Sequence, residues 1–186
     1  MKKTIERRKP ENLLDYIAIA LTTWGVGYMP IAPGTFGSMV GVIIYLGATW
    51  VDASGEMYLS GHGWREGQIQ ASVLAFISIL FLILCLAGIW AAGRTTEIFG
   101  NTDPSEAVVD EVIGQLIVFL FIPFGSHWGY ILTGFLLFRL FDIWKPYPID
   151  DLQNLPAGIG VCADDILAAV YAGVCLAVIY AVNISI

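Results

Sequence analysis

Two clusters concentrate the chemistry of this chain. One is Asp103-Pro104 followed by Val109-Asp110-Glu111; the other is Phe138-Arg139-Leu140-Phe141-Asp142-Ile143-Trp144-Lys145-Pro146 followed by Asp164-Asp165. Each lies at the end of an apolar run long enough to enter a bilayer, where a charge is expensive unless paired or bound to a cation. Asp110 and Glu111 are neighbours on an expected helix, about 100° apart, so both can face one groove. Arg139, Asp142 and Lys145 recur every three residues and share a helix face. Together with Asp164 and Asp165 these residues offer carboxylates for a hard divalent cation and two cations for an anionic oxygen. Mg²⁺ typically takes one or two carboxylates plus substrate phosphate and water. The ligand this implies is a phosphate ester.

The elements that must position them are helices. Residues 71–93 hold twenty-three residues without a charge, roughly 34 Å of helix at 1.5 Å per residue. Residues 39–51 form another apolar run, followed by a polar, Gly-containing stretch over 52–70. Asp103-Pro104-Ser105-Glu106 reads as a helix start with a capping box, opening a helix through Asp110 and Glu111 to about Ile122. A return limb over 128–144 ends before Pro146, and Asp164-Asp165 open a final apolar helix. Residues 13–24, interrupted by Asp15, are too short to span and read as an interfacial helix. The expectation is an all-α, multihelical membrane bundle of about four to five spans plus that helix, with residues 1–12 a basic cytoplasmic segment and 13–186 one membrane domain.

Composition agrees. The 186 residues are 57 % hydrophobic with mean hydropathy +0.73, too apolar for an ordinary soluble domain. The net charge of −7 says little about partners, because the acidic residues sit between apolar runs. Nucleic acid is excluded: five of the nine Lys and Arg lie in the first nine residues, leaving no basic groove. Cys85, Cys162 and Cys175 lack metal-ligand spacing and read as buried small hydrophobes. The N-terminal positive charge puts that end in the cytoplasm, and with it the loops at 25–38, 94–111 and 142–165. His62 and His127 then fall on the far side and are not candidate bases.

Plainer readings stand beside these. Asp103 and one of Asp164 or Asp165 fit helix caps, and Asp142 fits a neutralising partner for Arg139 or Lys145. Pro33-Gly34-Thr35-Phe36-Gly37-Ser38 fits either a turn of small residues or a phosphate cradle built on Thr35, Gly37 and Ser38.

Four motifs in order resemble the phosphatidylglycerophosphatase A family: Gly25-x-Gly27-x-x-Pro30-x-Ala32-Pro33-Gly34-Thr35-x-Gly37-Ser38; Asp103-Pro104-x-x-x-Val108-Val109-Asp110-Glu111-x-x-Gly114; Phe138-Arg139-x-Phe141-Asp142-Ile143-x-Lys145-Pro146-x-Pro148; and Gly158-x-Gly160-Val161-x-x-Asp164-Asp165. The resemblance implies a Mg²⁺-dependent lipid phosphatase of the bacterial inner membrane, facing the cytoplasm, that converts phosphatidylglycerophosphate to phosphatidylglycerol. Its substrate is a phospholipid in the membrane; oligomeric state stays open. Tyr28-Met29 and Asp150-Asp151 depart from the family pattern without touching the acidic core.

Other phosphatase chemistries lack their residues. No Cys is followed six positions on by Arg, no Asp-x-Asp-x-Thr/Val occurs, and two stray His cannot make a histidine nucleophile. Water activated by a divalent metal remains, with a covalent aspartyl-phosphate as a variant. In this reading Asp110, Glu111, Asp164 and Asp165 hold Mg²⁺, Arg139 and Lys145 bind phosphoryl oxygens, and Asp103 or Asp142 orients or deprotonates water. A CDP-alcohol phosphotransferase is an alternative, but its Asp-Gly-x-x-Ala-Arg pattern is absent. A small cation transporter is another, but it would hold its carboxylates near the midplane rather than at span ends.

Overall fold

The computed structural model describes residues 7–101, 104–149, 152 and 157–184. These form six α-helices and no strand among the described residues: α1 (Leu13–Thr23), α2 (Pro33–Gly61), α3 (Glu66–Phe99), α4 (Val109–Val118), α5 (Trp128–Trp144) and α6 (Ala157–Ile184). Single 3-10 turns at Val26–Tyr28 and Phe119–Phe121 join them. Three helices, α2, α3 and the 162–183 part of α6, are long and apolar enough to cross a membrane. α5, with seventeen residues, extends about 25 Å.

Several boundaries differ from those expected. The polar stretch over 52–70 is mostly helical: α2 runs unbroken to Gly61 and α3 starts at Glu66, leaving only a tight reversal at His62–Arg65. Helices satisfy their own backbone, so polar residues extend them beyond the apolar run at little cost. Past Arg94, α3 continues to Phe99 and ends at Gly100, whose backbone is left-handed (φ 72°). Asp103 lies outside the described residues, but Pro104 does not open a helix. Residues 104–107 instead form a turn closed by Ala107 N–H to Pro104 O at 3.0 Å, and α4 begins five residues later. Packing holds that turn, since Val108 N–H donates to Thr22 O at 2.9 Å and a side chain at Gly27 would collide with the Glu106 carbonyl. α4 is only ten residues long, too short for the crossing expected over 112–122. α6 starts ahead of Asp164 and Asp165, so neither aspartate caps it.

α4 is the centre of the bundle. Val109, Val112, Ile113, Gly114, Gln115, Leu116 and Val118 are all buried, packed mainly on α2 and α6. Close approach depends on glycine. A Cβ on Gly37 would come within 2.8 Å of Val108 Cβ, and one on Gly41 within 2.8 Å of Gln115 Cβ, so the 34/37/41 stripe of α2 lies directly on α4. Gly114 likewise admits the ring of Phe138 from α5. Lipid tails are as apolar as these side chains, so the gain here is dense packing rather than escape from water.

α1 is inverted. Asp15, Ala18, Thr22 and Thr23 face inward, while Leu13, Leu14, Tyr16 and Ile17 are exposed. That polarity suits a helix lying in an apolar surrounding with its polar side against the protein.

Candidate active site at the end of the bundle

The N-terminus of α2, the turn before α4 and the C-terminus of α5 come together at one end of the molecule. Ser38 of α2 accepts a hydrogen bond from Arg139 Nη1 of α5 at 3.4 Å, and Lys145, just past α5, pairs with Asp164 of α6. The three non-glycine residues with left-handed backbone among those described, Trp24, Ala32 and Lys145, all lie in the connections at this end. Such conformations cost about 1–3 kcal/mol each and persist where surrounding structure enforces them. At Lys145 the turn ends α5, with its N–H bonded to Phe141 O at 2.8 Å, and the side chain meets α6.

Within this end, Asp110, Glu111 and Asp165 present carboxylate oxygens that all lie within 4.8 Å of one another. Asp110 is 9 % exposed and Asp165 4 %. Glu111 Oε2, Asp164 Oδ1 and Asp165 Oδ2 are buried and have no hydrogen-bond partner in the protein. Three carboxylates this close, with orphaned oxygens and too few cations, are unstable as bare anions. They fit a hard divalent cation, whose oxygen ligands they would supply. Asp164 is placed differently from its expected companions. One oxygen is taken by Lys145 and the other, Oδ1, is the unpartnered one. Burial alone would pull the Lys145 ammonium down, but the hydrogen bond and charge of Asp164 outweigh it, so its pKa stands above the ordinary lysine value.

The cationic half is equally defined. Arg139 Nη1 lies 2.5 Å from Asp142 Oδ2, and Lys145 Nζ lies 3.8 Å from Asp142 Oδ1. Asp142 therefore holds both cations on one face of the α5 end, as their spacing of three requires. Arg139 Nε is buried and unpartnered, a donor left over after these contacts.

The Gly-rich segment meets this site at Gly34. A Cβ there would collide with Glu111 Oε1 and come within 3.2 Å of Arg139 Nη1. Of the expected cradle residues, Ser38 is buried and donates to Gly34 O at 3.0 Å, and Gly37 serves the contact with Val108. Thr35 N–H is engaged in the turn, bonded to Ala32 O at 3.0 Å. Gly34 thus carries the contact with the acidic cluster, and its i, i+3, i+7 spacing with Gly37 and Gly41 was the readable signal. Gln115 was also passed over. It is fully buried, and neither its Oε1 nor its Nε2 has a partner in the protein. His62 and His127, at the other turns, are remote from this end, as expected.

An all-α bundle with membrane-length helices and a buried acidic centre flanked by fixed cations fits an enzyme acting on a phosphorylated group at a membrane. The sequence pattern of phosphatidylglycerophosphatase A matches residues 19–180, and the chain belongs to that family. A Haemophilus influenzae phosphatidylglycerophosphatase A is 36 % identical over 167 residues, 88 % of each chain. The Escherichia coli phosphatidylglycerophosphatase A is 29 % identical over 165 residues, 88 % of this chain and 81 % of its own. A Bacteroides thetaiotaomicron protein, named provisionally as a phosphatidylinositol-3-phosphatase, is 35 % identical over 158 residues, 84 % of this chain and 89 % of its own. No solved structure matches the chain.

Proposed function

We propose that this chain is a phosphoric monoester hydrolase that releases the terminal phosphate of phosphatidylglycerophosphate to give phosphatidylglycerol. The observation that carries the reading is the family match over a chain whose buried, under-neutralised carboxylates face Arg139 and Lys145 at one end of a membrane-type bundle. Asp110, Glu111 and Asp165, with the free oxygen of Asp164, are the residues that would hold Mg²⁺. When bound, the ion supplies Lewis-acid polarisation of the phosphoryl group and activation of water. Arg139 and Lys145 bind the phosphoryl oxygens, and Asp142 aims both cations. Asp142, or Asp103 from the connection before α4, takes the proton of the attacking water. As the new P–O bond forms, the bond from phosphorus to the head-group oxygen breaks, and the leaving oxygen takes up a proton from solvent while the carboxyl returns its own.

A phospholipid suits this position because its acyl chains stay among the exposed apolar helix faces while its head group meets the end of the bundle. The N-terminal positive charge supports a site on the cytoplasmic side of a membrane, and the family resemblance supports the bacterial inner membrane. A cysteine introduced at Ser105 should be labelled by an impermeant reagent only from that side, and one at Ser60 only from the other; the reverse pattern would refute the orientation. A second reading, a phosphatidylinositol 3-phosphate as substrate, is favoured by the Bacteroides relative. Comparing kcat/KM for phosphatidylglycerophosphate, phosphatidylinositol 3-phosphate and phosphatidic acid in the same mixed micelles decides between them. Phosphatidylglycerophosphate should be fastest; equal rates or faster cleavage of phosphatidic acid would remove the assignment.

A further inference from the structure

Gln115 is the one amide in the buried run of α4, four residues after Glu111, and so about 6 Å further along the same helix face. It is fully buried against Gly41, and both its donor and its acceptor lack a partner in the protein. An amide buried in this way costs free energy unless something outside the chain's own hydrogen bonds completes it. Long helical side chains favour leaning toward the N-terminus of their helix, which for Gln115 is the direction of Glu111 and the acidic cluster.

Resting on the lipid-phosphatase reading, we infer that Gln115 recognises the free hydroxyl on the carbon beside the phosphorylated one in the substrate head group. In that reading a phosphate bound at the acidic cluster would sit at the first turn of α4, and the rest of the head group would lead from there along the direction in which α4 enters the bundle. A secondary hydroxyl both donates and accepts, and a carboxamide offers the complementary pair on a neutral group. Glycerol phosphate and inositol 3-phosphate head groups both carry such a hydroxyl, whereas phosphatidic acid has none, its neighbouring oxygen being esterified. Gln115 is then a residue that sets specificity, one turn below those that bind phosphate.

The test uses phosphatidylglycerophosphate and an analogue whose head-group glycerol is replaced by propane-1,3-diol, which keeps the phosphate and removes only the hydroxyl. Wild-type enzyme should show kcat/KM about tenfold lower on the analogue. Gln115→Met, similar in shape and free of the amide, should lose about tenfold on phosphatidylglycerophosphate, bring the two lipids to near equality, and keep or raise Tm. Wild-type enzyme that treats both lipids alike overturns the inference without any variant. So does a Gln115→Met enzyme that loses equally on both, which would make the amide a support for site geometry. Unchanged kinetics with a raised Tm overturns it too, since the amide is then only an unpaired core group. Wild-type enzyme that releases phosphate from neither lipid would bring down the lipid-phosphatase reading itself, and this inference with it.

Discussion

Two buried acidic sites stand at the same end of this molecule and are treated oppositely. Asp15, on the inward face of α1, is fully buried and fully answered: Arg8 reaches both of its oxygens at 2.8 Å, Arg94 of α3 lies at 2.7 Å, and the Glu11 N–H adds another bond at 2.9 Å. The Arg8 guanidinium, the Glu11 amide and Arg94 together hold its carboxyl well below the usual carboxylate range, against the opposing effect of burial. At the junction of α4 and α6, by contrast, three carboxylates converge, and Glu111 and Asp165 among them keep unpartnered oxygens. A carboxylate matched by the chain's own cations is a fastener. One left unmatched fits a cation from outside, the role proposed for this cluster.

The largest effect should come from the unmatched set. Asp110→Asn or Asp165→Asn should lower kcat by about a thousandfold or more, the scale seen when a group stabilising transition-state charge is removed, while Tm holds or rises as like-charge repulsion is relieved. Chelation of divalent ions should abolish turnover, and added Mg²⁺ should restore it and raise Tm. Near wild-type turnover in either variant, or indifference to chelator, would erase the contrast between the two sites.

Gly34→Ala probes the border of the active cluster. The added methyl meets Glu111 Oε1 and Arg139 Nη1, so kcat/KM should fall roughly tenfold to a hundredfold from a displacement on the order of an ångström, with Tm little changed. A large stability loss with activity per folded molecule intact would show that Gly34 serves packing alone, like Gly37.

The smallest catalytic effect belongs to the matched site. Asp15→Asn should lower Tm at neutral pH and leave kcat of the folded enzyme nearly unchanged. The pH sign follows from the lowered carboxyl pKa in the folded state. Its contribution is fully present above the unfolded pKa, near 4, and is lost as pH falls through the folded value. The Tm difference between wild type and Asp15→Asn should therefore shrink as the solution is acidified below about pH 4. A difference that grows in acid would contradict the clamp.

Much of this was legible in residue order. Hydropathy and the spacing of Arg139, Asp142 and Lys145 were local properties, so the helical class, the α5 end and the charged face on it could be read directly. Asp110-Glu111 and Asp164-Asp165 announced themselves because charge is costly beside apolar runs. The start of α4 departs from the local signal for an equally physical reason: Asp-Pro-Ser-Glu is a good local cap, but hydrogen bonding of Val108 to Thr22 and the contact at Gly27 hold residues 104–107 as a turn.

What residue order could not supply was pairing. Composition made Asp15 an interruption in a short apolar helix; only the packing of α1 on α3 brought Arg94 to it from seventy-nine residues away. The sequence by itself determined which residues carry charge and which stretches are helical, because helix formation and hydropathy depend on neighbours within a few positions. Only the tertiary structure decided which carboxylates are neutralised and which are not, because ion pairing falls off over a few ångströms and those distances are set by helix packing, here by glycines that bring α2 onto α4.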